Sequence, residues 1–286
     1  MSNLLTNLKV LDLSQRLPGP LATKELELLG AQVTKASPIG KKDAFELADD
    51  LLFNEWFKNL NSNKKIEYFS LENIQELLSA HDIIISPSNF DESSFELENK
   101  VLIKVGGSSD LSPMHDLNAL AKTSNFKLYL NEFTSDQIDP PYLPFAGIIY
   151  GQKIAMTALA GLFKLSQTNQ TQIIDLFLDR AAMQTLDLFW SEKLESLGQT
   201  KFLHNGALPC YNIYTTSDNK YIALACVEEH FWKKFCDIFD LTLKKEDRFD
   251  TTSKTTQLIT GVFKNLTLNE IINRVGKEQI CLTPII

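Results

Sequence analysis

The chain opens with Leu8-Lys9-Val10-Leu11-Asp12-Leu13, a short run of β-forming residues, which Pro18-Gly19-Pro20 breaks. Apolar residues from Leu21 to Leu29 then recur at helical spacing, and Gly30 supplies a helix stop. Ala31-Gln32-Val33-Thr34-Lys35 reads as a second strand. Strand, helix and strand in that order form a βαβ unit, and such a unit implies a parallel sheet.

The alternation continues. A helical stretch around Ala48 to Leu60 precedes a strand at Lys65 to Phe69, a helix from Leu71 to Ala80 and the strand Ile83-Ile84-Ile85. Val101 to Val105 forms another strand and runs into Gly106-Gly107-Ser108-Ser109. After a proline-rich connection (Pro140, Pro141, Pro144), Tyr150 to Leu165 is a long helix whose small residues Ala155, Ala158, Ala160 and Gly161 permit close packing. Ile173 to Leu178 and the amphipathic Ala181 to Leu197 complete a doubly wound α/β, Rossmann-like large domain over 1–200. Beyond it the texture changes. Cys210 to Thr215 and Lys220 to Cys226 flank the hairpin turn Thr216-Ser217-Asp218-Asn219, and helical segments follow at Glu229 to Phe239 and Leu268 to Val275. A smaller α+β domain over 201–286 is predicted, with Gly198 to Lys201 as linker.

Composition narrows the function classes. Of the 286 residues, 44% are hydrophobic and 22% charged, which suits a globular core rather than disorder. The net charge of -8 repels a phosphate backbone and argues against nucleic-acid binding. No uninterrupted apolar stretch nears the roughly 18 residues of a membrane span, and Met1-Ser2-Asn3 does not begin like a secretion signal. A cytoplasmic protein is expected. The four cysteines contain no C-x-x-C pair, so no metal site is expected.

Several segments carry candidate chemistry. The turn Gln15-Arg16-Leu17-Pro18-Gly19-Pro20 has two prolines where a dinucleotide pyrophosphate needs backbone donors, which argues against NAD. No P-loop sequence occurs. Gly106 and Gly107 sit at a strand exit, where ligands enter such sheets, and form either an anion cradle or a plain turn. His115-Asp116 offers an acid or base at neutral pH. Glu228-Glu229-His230 is a second candidate, or simply the acidic start of a helix.

These landmarks, in this order, resemble the family III CoA-transferases, the group of formyl-CoA transferase, carnitine CoA-transferase and α-methylacyl-CoA racemase. Leu8 to Ser14, Pro18-Gly19-Pro20 and Leu29 to Lys35 are similar to the family's N-terminal signature. Asn61-Ser62-Asn63-Lys64-Lys65 resembles its N-x-N-K-R segment, and His115-Asp116-Leu117-Asn118 the racemase H-D-[IL]-N motif. Thr171 to Asp175 with Asp179 to Ala182, and Pro209-Cys210-Tyr211 through Glu228-Glu229-His230-Phe231-Trp232, match two further family segments.

The resemblance implies a CoA thioester, coenzyme A or acyl-CoA, as substrate against the large domain, and a homodimer, possibly interlocked. It also implies one of two chemistries: an aspartate that attacks the thioester, or a histidine and aspartate acting as opposed bases beside the carbonyl. His115 and Glu228 are the catalytic residues it implies, with Arg16, Lys35, Lys64 and Lys65 as CoA contacts. This sequence departs from the pattern at the aspartate. The racemase-type L-A-D-F-A-G stretch corresponds to Tyr142-Leu143-Pro144-Phe145-Ala146-Gly147, so Pro144 holds the catalytic position. The usual arginine-bearing loop is replaced by Pro87-Ser88-Asn89-Phe90-Asp91-Glu92, and the chain stops at Thr283-Pro284-Ile285-Ile286 where most members continue. Three readings remain open. The first is a CoA-binding homologue without catalysis; the second is an active transferase or racemase using a displaced carboxylate, Asp139 or Asp116, with His115. The third is an unrelated α/β enzyme.

Overall fold

The computed structural model describes residues 3–47, 50–110, 112–124, 126, 139–190, 194, 196 and 203–285. The chain divides into two compact units, Met1–Glu192 and Lys193–Ile286. The linker expected at 198–201 lies outside the described residues.

The first unit is built on six parallel strands: β1 (Lys9–Asp12), β2 (Gln32–Pro38), β3 (Lys65–Phe69), β4 (Ile83–Pro87), β5 (Val101–Gly106) and β6 (Gln172–Phe177). Their order is β3-β2-β1-β4-β5-β6, the doubly wound arrangement in which chain direction across the sheet reverses between β1 and β4. Val10 and Leu11 pair with Val33 and Thr34 on one side and with Ile83 and Ile84 on the other. Helices cover both faces, so each central strand carries a continuous apolar run: Val10, Leu11, Ile83, Ile84, Ile85, Val101, Leu102 and Ile103 are wholly buried.

Helix α1 (Pro18–Leu28) starts with proline at its first turn, where a missing N–H costs nothing. It ends at Gly30, whose φ of +105° is open to glycine alone; a Cβ there meets the Asn3 backbone at 3.2 Å. The helical stretch predicted near 48–60 is α3 (Leu51–Asn61), which starts late because Asp50 caps it by accepting the Leu52 N–H at 2.7 Å; a short helix outside the prediction, α2 (Ala44–Leu47), precedes it. Two short helices, α4 (Ile74–Ser79) and α5 (Asp116–Ala121), follow. The long helix α6 (Phe145–Thr168) starts five residues before the expected Tyr150. Its length and hydropathy also suit a membrane span, yet Ala146, Tyr150, Ile154 and Ala158 are buried in the core against β5 and α1. Helix α7 (Leu178–Leu186) closes this unit.

The second unit holds an antiparallel sheet of β7 (Tyr211–Thr215), β8 (Tyr221–Ala225) and β9 (Leu282–Ile285), with β8 central. The hairpin turn falls where predicted, while β9 is an addition. Helices α8 (Glu229–Ile238), α9 (Lys254–Lys264) and α10 (Leu268–Val275) share its core through Trp232 and Phe235, Phe263, and Ile271 respectively, each at most 1% exposed.

Candidate functional site

A cavity of about 870 Å³ opens beyond the carboxyl ends of β1, β4 and β5, at the crevice where the winding reverses. Segment 14–19 after β1, Pro87 and Asn89 after β4, and Val105 to Gly107 at the end of β5 form its floor. Met114, His115 and Asp116 at the start of α5, with Pro144 and Gly147 at the head of α6, form one side. Phe45, Phe53 and Trp56 of α2 and α3 form another.

Beneath the floor lies an ion cluster that fixes the β1 exit. Asp12 is wholly buried and accepts from the Ser14 hydroxyl at 2.5 Å, the Thr23 hydroxyl at 2.7 Å and Lys64 Nζ at 3.3 Å. Lys35 Nζ stands 3.7 Å from it and donates to the Ser14 carbonyl. Burial alone pushes the Asp12 carboxyl up, but the two ammonium groups and two hydroxyls outweigh it and hold Asp12 below the ordinary carboxylate range. Burial pulls Lys64 down to about 8 even though Asp12 opposes it. Here the structure corrects the expectation of CoA contacts at Lys35 and Lys64. Both are interior, at 2% and 6% exposure, and their charge is spent on Asp12 because a buried ammonium needs a paired carboxylate. Lys65 lies outside the cavity lining: it pairs with Thr34 at the amino end of β3, and its exposed ammonium meets Glu67.

Arg16 does line the cavity. Its φ of +65° is unusual for a residue with a side chain, and the strain is held by Asp43, which accepts the Arg16 N–H at 3.1 Å and the Phe45 N–H at 3.0 Å. Asp43 is itself buried, 3.7 Å from Lys35. So held, the Arg16 guanidinium reaches His115 Nδ1 at 3.3 Å. A guanidinium only donates, so Nδ1 accepts and the ring proton sits on Nε2. The His115 side chain is exposed to the cavity, and its backbone N–H donates to Asn118 Oδ1 at 3.1 Å.

Pro144 occupies the N-cap position of α6 and has no side-chain acceptor for the helix's orphan amides. Asp116, on the same side of the cavity, takes that task, accepting the Gly147 N–H at 2.6 Å. Burial drives the Asp116 carboxyl up, and the Gly147 and Ala146 amides only partly offset this. A carboxylate therefore stands beside the proline, bound to backbone.

Gly106 and Gly107 line the cavity, but their missing side chains serve packing. A Cβ on Gly106 meets Phe177 Cδ1 at 2.9 Å, and one on Gly107 meets Met114 Cβ at 2.8 Å. The Gly106 N–H is already donated to the Tyr150 hydroxyl at 3.1 Å, which in turn donates to the Leu176 carbonyl at 2.5 Å. The anion cradle thus loses one of its donors. Asp139 is exposed and outside the cavity lining. Glu228 belongs to the second unit, at the head of α8, where its carbonyl accepts the Trp232 N–H at 3.0 Å. In the acidic loop after β4, Glu92 pairs with Lys104 at 2.6 Å and Asp91 binds Ser93 and Ser94. Sequence reasoning missed Asp43 and the three aromatic residues. The i, i+3 spacing of Phe53 and Trp56 was their one signal, and it reads equally as core.

The model of CoA-transferase family III matches residues 112–286. A CaiB/baiF CoA-transferase family protein of Caenorhabditis elegans, ZK892.4, is 22% identical over 316 residues, covering 100% of this chain and 87% of its own. Among solved structures, a CAIB/BAIF family protein from Brucella suis aligns with a TM-score of 0.74 at 16% identity, covering 100% of this chain and 85% of that one. Rv3272 from Mycobacterium tuberculosis aligns with a TM-score of 0.72 at 17% identity, covering 98% and 83%. These structural likenesses concern the fold. The family match takes in His115-Asp116, the whole of α6 and the second unit, well over half of the sequence, and on that footing the chain belongs to CoA-transferase family III.

Proposed function

We propose that this chain binds a CoA thioester in the cavity of its first unit and does not transfer the acyl group, because the carboxylate nearest the expected nucleophile position serves as a helix cap. The observation that carries this reading is the pair Pro144 and Asp116: the N-cap of α6 is a proline, and Asp116 is held on the Gly147 amide at 2.6 Å. To attack a thioester, Asp116 must leave that amide and expose the helix head. The cavity's volume suits a thioester and its pantetheine arm. The exposed pair Lys41 and Lys42, on the loop between β2 and Asp43, supplies positive charge for the phosphates, while Arg16 stays on His115. His115, with its proton on Nε2, donates to the thioester carbonyl oxygen and holds it in place.

Calorimetric titration with CoA and acetyl-CoA tests the binding half of the proposal. Micromolar dissociation constants are expected, and silence at millimolar ligand refutes it. A second reading, an active transferase or racemase using Asp116 with His115, is favoured by the raised Asp116 carboxyl beside His115 in one cavity. It requires acyl transfer or deuterium exchange that disappears in Asp116→Asn. The same family reading extends to a homodimer, for which Met156 and Phe163, 63% and 67% exposed along α6, offer an apolar face. Light scattering at twice the chain mass is the expected result.

A further inference from the structure

We infer that the acyl group held in this cavity is bulky and apolar, of the aryl-acyl class, and lodges against a wall formed by Phe45, Phe53 and Trp56. The inference rests on the cavity being a CoA-thioester site and names its acyl class. The wall is preassembled. Phe45 and Phe53 stack with centroids 5.1 Å apart and planes 11° from parallel. Trp56 stands edge-on to both, at 5.9 Å and 5.8 Å. All three line the cavity, and none is fully buried, so each keeps surface for a ligand. Aromatic rings fixed in advance accept a further ring by offset or edge-to-face contact with little loss of side-chain freedom.

The position of the wall decides which part of a thioester meets it. The Asp43 carboxylate accepts the N–H of Phe45 at 3.0 Å and that of Arg16 at 3.1 Å, and the Arg16 guanidinium touches His115 Nδ1 at 3.3 Å. One short chain of contacts therefore ties the aromatic wall to the histidine that faces the carbonyl. The substituent on the carbonyl carbon, rather than the distant nucleotide, lies nearest the rings. Met114, beside His115, adds a soft thioether that packs well on an aromatic edge. An acetyl group leaves this surface to water; an aryl group covers it.

The test is calorimetric titration of the full chain with CoA, acetyl-CoA and phenylacetyl-CoA, on the wild type, Trp56→Ala and Phe45→Leu. Phenylacetyl-CoA is expected to bind at least about tenfold more tightly than acetyl-CoA. In Trp56→Ala that advantage falls below about threefold while affinity for CoA itself is unchanged. Phe45→Leu keeps apolar volume and an unaltered thermal melt, and still loses part of the advantage. Equal wild-type affinity for acetyl-CoA and phenylacetyl-CoA overturns the inference and leaves the CoA site standing. An equal loss for all three ligands in Trp56→Ala overturns it as well, since the rings then serve the CoA portion. No binding of any of the three by the wild type refutes the CoA site itself, and the acyl class with it.

Discussion

Replacing Lys64 by Met removes a buried ammonium and keeps most of the side-chain volume. That ammonium donates to Asp12 at 3.3 Å, the Pro20 carbonyl at 2.8 Å, Thr23 Oγ1 at 2.8 Å and Asn61 Oδ1 at 2.9 Å. A thioether donates to none of them, so desolvated acceptors remain and Asp12 is left with Lys35. Breaking a buried ion pair from one side costs about 3–5 kcal/mol. At about 2–4 °C per kcal/mol for a unit of this size, Tm falls by roughly 6–20 °C. A pH signature accompanies the loss. Lys64 titrates at about 8 in the fold against 10.5 in its ordinary state, so between those values the unfolded chain holds a proton the folded chain has released. Stability from this group therefore rises with pH across that window. The difference, 10.5 − 8, at about 1.36 kcal/mol per unit, amounts to about 3 kcal/mol. Urea denaturation of the two proteins at a series of pH values should show the wild type gaining that amount over Lys64→Met. CoA titration of the same samples should show equal affinity. An unaltered midpoint together with lost CoA binding contradicts the interior role and makes Lys64 a ligand contact.

Four further outcomes follow from the same contacts. Asp116→Ala removes the cap of α6 and should lower stability by about 1–2 kcal/mol in chemical denaturation, with CoA affinity unchanged. Gly106→Ala forces a methyl to 2.9 Å from Phe177 and 3.1 Å from Ser88; overpacking of about 1–3 kcal/mol should appear as a lower Tm. Burial pushes the thiol of Cys226 up to about 12 and those of Cys210 and Cys236 to about 11, so in the native protein near pH 8 a thiol reagent should label the more open Cys281 and spare these three. Asp12 and Asp179 both titrate below the ordinary carboxylate value despite their burial, Asp179 through Lys122 and Ser108. Their stabilisation is present above about pH 4 and is lost as pH falls through the lowered folded values, which acid titration of the unfolding free energy should record.

The strands of the first unit were legible because each is a short segment rich in apolar and β-branched residues bounded by turn or helix signals, and Ile83-Ile84-Ile85 could hardly be anything else. Their spatial order was not, since it depends on which crossover each helix takes. Strand β9 escaped because Pro284 argues against a strand; it is tolerated there at a sheet edge, where no donor is needed. Lys35 and Lys64 read as CoA contacts because a lysine usually keeps its ammonium in reach of solvent and ligand. Their burial depends on Asp12, a partner from another strand exit that no local pattern announces. The His115-Asp116 motif was visible as a pair, yet its two members do different things: one faces the cavity and the other caps a helix 31 residues away. That division follows from Pro144, whose position in the sequence was plain and whose consequence for Asp116 needed three dimensions.

Intact-protein mass spectrometry after incubation with acetyl-CoA and with phenylacetyl-CoA, quenched in acid to preserve any acyl-carboxylate anhydride, tests the central claim most directly. The account predicts bound thioester that is recovered whole, and a polypeptide of unchanged mass. A covalent adduct on the wild type that is absent from Asp116→Asn contradicts it, and shows that the cap leaves α6 to do chemistry.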